Sequence, residues 1–255
     1  GDILLTGSRD FDLNDIHDAR HRKAELWVLD KSLANRPTPL GQSLWEGPAV
    51  SRHLMQIAWT EFPVPLEKGF PHKPGTAPIN KAQIWTADIA YDNGMPQLKN
   101  RQKVFDCAEQ SFTCMVETQN FRGPDDREII FSGYGFQGTE VMGINLDTQL
   151  VTNYSNNPDT YDEPEGIFPH GEWIAYEHNP NSTSHKNLDI WKLQLDGSGN
   201  KQRLTFFNRD FPGFKANQPV ISNDGRYMAF QTSSTADYAG IGRGIYLYEL
   251  MQPSE

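Results

Sequence analysis

Long apolar runs are missing from this 255-residue chain. No stretch approaches the roughly 18 consecutive apolar residues of a membrane-spanning helix, so no membrane insertion is expected. A basic excess is missing too. Lys and Arg number 23 against 33 Asp and Glu, a formal charge of −10. Nucleic acids and anionic lipid surfaces attract basic patches, so neither is an expected partner. Helical periodicity is scarce, and 21 Gly and 17 Pro are spread along the chain, interrupting any long helix. The opening Gly1-Asp2-Ile3-Leu4-Leu5-Thr6 lacks a signal peptide's basic region, apolar core and cleavage site. Either the mature chain begins there or something upstream is missing. No Gly-x-Ser-x-Gly is present, which excludes the nucleophile elbow of an α/β-hydrolase domain in this chain.

What is present is short strands. Apolar triplets occur at Ile3-Leu4-Leu5, Ile57-Ala58-Trp59, Ile129-Ile130-Phe131, Ile174-Ala175-Tyr176 and Met228-Ala229-Phe230. Each is followed by a segment alternating with period two: Glu25 to Leu29, Gln83 to Ala87, Glu140 to Ile144, Asp189 to Leu193 and Gly244 to Tyr248. Triplets recur about every 45–70 residues, near the length of one four-stranded propeller blade plus loops. The expected fold is therefore all-β, a propeller of four-stranded blades in one domain over residues 1–255. Its approximate blades are 1–45, 46–111, 112–161, 162–214 and 215–255. Asp196-Gly197 and Asp224-Gly225 suit tight hairpins, because Gly accepts positive φ and Asp hydrogen-bonds its own backbone. His170-Gly171 lacks that Asp, so a looser turn is expected. Trp27, Trp85, Trp191 and Tyr246 share one repeat position and are expected to pack between blades.

The fourth copy runs from Asp162-Glu163-Pro164 through Trp173-Ile174-Ala175-Tyr176 and Asp189-Ile190-Trp191 to Arg203-Leu204-Thr205. The fifth runs from Gln218-Pro219 through Asn223-Asp224-Gly225 and Met228-Ala229-Phe230 to Ile245-Tyr246. These residues resemble the WD-like repeat of TolB-like β-propellers of the bacterial envelope. The likeness is strong over residues 162–250 and partial over 3–147. It implies a scaffold or recognition role outside the cytoplasm, periplasmic or secreted. The first copy starts at its second strand and the fifth lacks its fourth, so a larger ring of six or seven blades is expected, its remaining strands upstream.

Candidate sites follow from the blade geometry. First strands of propeller blades line the central channel, so their polar residues from several blades can converge. The binding candidates are Glu46, Arg52, His53, Glu117, Glu163, Glu165, Asn217 and Gln218. Carboxylates and amides suit a hard cation, Ca²⁺ or Mn²⁺, or a polar ligand; a water-filled channel is the other reading. Glu163 and Glu165 are metal candidates. So are His17 and His21, whose i, i+4 spacing would place both imidazoles on one helix face, although a solvated loop is favoured there. Cys107 and Cys114, the only two cysteines, form either a short-loop disulfide, the preferred reading, or two buried thiols. Gly240-Ile241-Gly242-Arg243-Gly244 precedes a strand rather than a helix and is not read as a phosphate loop.

Three functions are carried forward. The first is a non-catalytic, exported propeller that binds a protein or glycan partner. The second is a polysaccharide lyase acting on uronate-containing glycans, which needs a base and a cation or Arg to neutralise the uronate carboxylate; Arg52 and His53, with Glu117 and Glu163, are its candidates. The third is a packing subunit of a larger envelope complex. None of the lyase families' catalytic motifs is present, so no catalytic residue is assigned.

Overall fold

The computed structural model describes residues 3–7, 25–29, 38–62, 80–112, 114–134, 138–237 and 241–250. His17, His21, Gly240, all of residues 11–23 and most of residues 61–81 lie outside them. Among the described residues the chain is built from eighteen strands, and no helix is long and apolar enough to cross a membrane. It divides into two compact units, residues 1–118 and 119–255.

In the first unit, β1 (Ile3–Gly7), β2 (Glu25–Leu29) and β3 (Thr38–Ser43) form an antiparallel sheet. A four-stranded meander follows: β4 (Trp45–Val50), β5 (Gln56–Glu61), β6 (Gln83–Asp92) and β7 (Met95–Asp106). Trp59 of β5 is fully buried with Leu26, Leu44, Ile57 and Ala87. Trp85 packs on that cluster's edge, and the Arg101 guanidinium of β7 lies 4.2 Å from its ring centroid. Its charge attracts the ring's π-face and its stem covers apolar surface.

A 3₁₀ turn, Cys107–Glu109, follows β7. It carries a disulfide from Cys107 to Cys114, with Cα atoms 5.2 Å apart. Both cysteines are buried. Closing so short a loop stabilises by roughly 2–3 kcal/mol on the chain-entropy account. Asn80 anchors it further, its Oδ1 accepting from the Cys114 N–H at 2.8 Å.

The boundary between units falls inside β8 (Met115–Arg122). The second unit continues with β9 (Glu128–Tyr134), β10 (Thr139–Asn145) and β11 (Val151–Asn153). β12 (Tyr161–Ile167), β13 (Trp173–Asn179), β14 (Asp189–Gln194) and β15 (Lys201–Arg203) form the next meander. One parallel pair, Thr139 with Tyr161, joins the two sets into an eight-stranded sheet. A single helical turn, α1 (Phe207–Asp210), leads to a last sheet of β16 (Phe214–Ile221), β17 (Tyr227–Ser234) and β18 (Gly244–Glu249).

The second unit's core lies on both faces of the β12–β15 sheet. Tyr176, Ile174, Leu193, Ile130 and Val141 pack on one side, with Trp191 against them. Ala175, Ile190, Ala216, Met228 and Phe230 pack on the other. Period-two alternation explains the split, because Tyr176 and Ala175 are neighbours in sequence and point oppositely. Tyr246, at the repeat position of Trp191, stacks on Phe230 at 5.6 Å yet stays half-exposed. A buried polar column pins the β12–β14 hairpins: Thr160 Oγ1 donates to Asp162 (3.0 Å), and Asp162 accepts from His178 Nδ1. Glycine closes the turns, with φ +70° at Gly171, +79° at Gly197 and +71° at Gly225. The turn without an aspartate thus takes the same conformation as Asp224-Gly225.

Candidate functional site: an acidic cluster where three strands meet

In β12, Tyr161, Glu163 and Glu165 alternate with Asp162 and Pro164, so the first three share a face. Glu163 pairs directly with Glu177 of β13. Cross-strand partners project to the same face, which brings the third carboxylate in. Ligand oxygens of Glu163, Glu165 and Glu177 lie within 4.8 Å of one another. Glu177 is 5% exposed, the other two partly buried.

The surroundings hold the cluster in place. Glu163 accepts hydrogen bonds from the Tyr134 and Tyr161 hydroxyls. Glu177 Oε1 accepts from the Gln218 N–H of β16 at 2.8 Å. A β-bulge begins in β16 after Asn217, and Gln218 takes φ +51°. Asn120 of β8 donates from Nδ2 to the Glu165 carbonyl at 2.8 Å. Lys215 of β16 is only 1% exposed; its ammonium donates to the His185 carbonyl at 3.2 Å and is attracted by Glu177, by Asp237, which is itself paired with Arg243, and by Glu163. Asn217, two residues on, and Ser233, directly across from Lys215 on β17, share the Lys215 face and are buried. Asn217 Oδ1 and Ser233 Oγ have no hydrogen-bond partner among the described residues.

Burial dominates the electrostatics. It pushes the Glu177 carboxyl up to about 8, and the Glu163 charge adds to the rise. Glu163 is also raised by burial, although the two tyrosine hydroxyls and Lys215 work against this. Burial lowers Lys215. Three carboxylates face one ammonium, so full ionisation would leave two negative charges uncompensated in a poorly hydrated place. Protons offset that charge here; a divalent cation has the matching charge, and carboxylate and amide oxygens are the donors that hard cations take.

Of the residues singled out from sequence, Glu163 and Glu165 enter this cluster, Gln218 reaches it through its N–H, and Asn217 stands beside it. Glu177 and Lys215 were missed. Glu177 was findable in principle: it follows Ile174-Ala175-Tyr176 directly and lies across the hairpin from Glu163. In the first unit, Glu46 lies in β4, while Arg52 and His53 are exposed in the β4–β5 turn, beyond the other end of the same strand. Glu117 is partly buried on β8.

No family model matches the sequence, and no curated protein does. Solved structures do. An Agrobacterium tumefaciens protein assigned as TolB aligns over 93% of this chain and 72% of its own, with 14% identity and TM-score 0.59. Oligogalacturonate lyase of Vibrio parahaemolyticus aligns over 88% of this chain and 57% of its own, with 15% identity and TM-score 0.53. An oligogalacturonate lyase in complex with manganese aligns over 88% and 56%, with 14% identity and TM-score 0.57. The chain thus spans little more than half the length of the lyases it resembles. At these identities the likeness is one of fold.

Proposed function

We propose that this chain, whose fold is that of TolB-like β-propellers, is a non-catalytic binding scaffold of the bacterial envelope, periplasmic or secreted. Its partner is a protein or a glycan. The acidic cluster of Glu163, Glu165 and Glu177 supports this reading best. Its groups are oxygen donors rather than the base and arginine that uronate chemistry calls for, and the lyase candidates Arg52 and His53 stand exposed on a turn of the first unit. The donor set fits a hard cation, Ca²⁺ or Mn²⁺. Glu163, Glu165 and Glu177 would hold it, and there it would order the three strands that supply its ligands. Asn217, buried and with an unpartnered Oδ1, is a further oxygen donor near the cluster.

A lyase is the second reading. What favours it is the likeness to two oligogalacturonate lyases, one of them a manganese complex. Incubation with polygalacturonate and other uronate polymers, with and without Mn²⁺, separates the two. The scaffold reading expects absorbance near 235 nm, where unsaturated products absorb, to stay flat. A rise that scales with protein concentration would replace the scaffold with an enzyme.

A further inference from the structure

A cleft lies in the second unit, and none of the acidic cluster's residues lines it. The cleft holds about 590 Å³, within the roughly 300–1,000 Å³ usual for small-ligand sites. One wall is the outward part of the β13–β15 sheet. Lys192 pairs with Ala175 on one side and Gln202 on the other, so all three share a face; Trp173, two residues from Ala175, shares it too. The opposite wall is Tyr248 of β18 and the Asp224-Gly225 turn. Gly225 seats that turn against the cleft's base, because a Cβ there would lie 3.2 Å from the Pro169 ring.

The chemistry of the walls is mixed in a particular way. Trp173 and Lys192 both line the cleft, and the Lys192 ammonium lies 4.7 Å from the indole ring centroid, over one of its two faces. That face accepts partial positive charge. Tyr248 supplies a second ring, 43% exposed. His170, Glu172 and Gln202 line the cleft, are exposed, and make no side-chain hydrogen bond among the described residues. The formal charges nearly cancel, with Lys192 set against Glu172 and Asp224. Neither a polyanion nor a polycation is drawn in.

We propose that this cleft between the β13–β15 sheet and β18 binds a neutral oligosaccharide. A sugar ring has a C–H face, weakly positive and apolar, which suits the Trp173 and Tyr248 rings. Its hydroxyls both donate and accept, matching a rim of imidazole, carboxylate and amide groups. The assignment rests on the scaffold reading and names the site of its glycan partner.

The test is a titration of the full chain with cellohexaose, maltohexaose and chitohexaose, with polygalacturonate as the charged control, followed by tryptophan fluorescence and calorimetry. At least one neutral hexasaccharide should bind saturably and better than polygalacturonate. Trp173→Ala and, separately, Tyr248→Ala should each weaken that binding about tenfold with an unchanged circular dichroism spectrum. Tyr248 is exposed, so its variant tests the cleft even where Trp173→Ala fails to fold. Absence of binding by every neutral sugar at millimolar concentration overturns the proposal, as does preference for polygalacturonate or wild-type affinity in Tyr248→Ala. A captured protein partner with no sugar bound overturns this assignment while leaving the scaffold reading intact; unsaturated uronate product overturns the scaffold reading itself.

Discussion

Replacing Arg122 with alanine is expected to destabilise the second unit by about 3–5 kcal/mol, the cost of removing one partner of a largely buried charge pair. Arg122 sits at the end of β8 and spends its guanidinium on four acceptors. Nη1 donates to Glu128 Oε2 at 2.7 Å and to the Tyr154 hydroxyl at 2.8 Å. Nε donates to the Gly171 carbonyl at 2.7 Å and Nη2 to the Leu195 carbonyl at 2.6 Å. The Tyr154 hydroxyl in turn donates to Glu128 Oε1 at 2.6 Å. The Arg122 and Glu128 side chains are 23% and 13% exposed, so water screens them poorly. Removal would strand a carboxylate and two carbonyls. Urea unfolding of the wild type and variant measures the loss. Arg122→Lys should recover only part, since an ammonium cannot reproduce the planar fork. A loss under about 0.5 kcal/mol in Arg122→Ala would mean that solvent replaces these bonds freely.

The second large effect is a dependence of stability on pH set by Glu177. Its carboxyl stands at about 8 in the folded chain against an ordinary 4.5. Between those values the folded state holds a proton that the unfolded state has released. The stabilisation is therefore fully present below about pH 4.5 and lost as pH rises through 8. Glu163 is shifted the same way and adds to the trend. Lys215 opposes it on the alkaline side, because a lowered ammonium pKa favours folding as pH approaches 10.5. His185, lowered by burial, costs stability only as pH falls below its ordinary 6.5. Glu165, the Tyr134 and Tyr161 hydroxyls and Asp237, which attracts Lys215 and is paired with Arg243, also stand around the cluster. Denaturation midpoints of the cation-free protein from pH 6.5 to 8.5 should fall in the wild type by an amount worth a few kcal/mol. The fall should be much smaller in Glu177→Gln. Equal slopes in the two proteins would place the titrating group elsewhere.

The sheets were legible because their signals are local. The triplets at Ile57, Ile129, Ile174 and Met228 lie in β5, β9, β13 and β17, the second strands of their meanders. The alternating segments fall in β2, β6, β10, β14 and β18. Hydrophobic alternation and turn glycines settle such features within a few residues. Glu163 and Glu165 were legible for the same reason, being two residues apart on one strand.

The rest depends on register and on contacts distant in sequence. Glu177 joins Glu163 only once the Gly171 turn fixes the β12–β13 pairing. Lys215 reaches the cluster only as β16 packs against β12 and β13. The β16 bulge that turns the Gln218 N–H toward Glu177 has no sequence signal beyond Pro219. The cleft around Trp173 is harder still, drawing its walls from separate turns and strands between residues 168 and 250. No short motif encodes that arrangement.

The charge count at the cluster carries the functional account: on full ionisation, three carboxylates face one ammonium, a deficit that either protons or a divalent cation can make up. Calorimetric titration of the cation-free chain with Mn²⁺ and Ca²⁺, beside Glu163→Gln and Glu177→Gln, tests it directly. The account predicts one saturable site for at least one of these cations in the wild type, weakened tenfold or more in each variant while the circular dichroism spectrum is preserved. Absence of saturable heat with both cations, or undiminished binding in both variants, would contradict it.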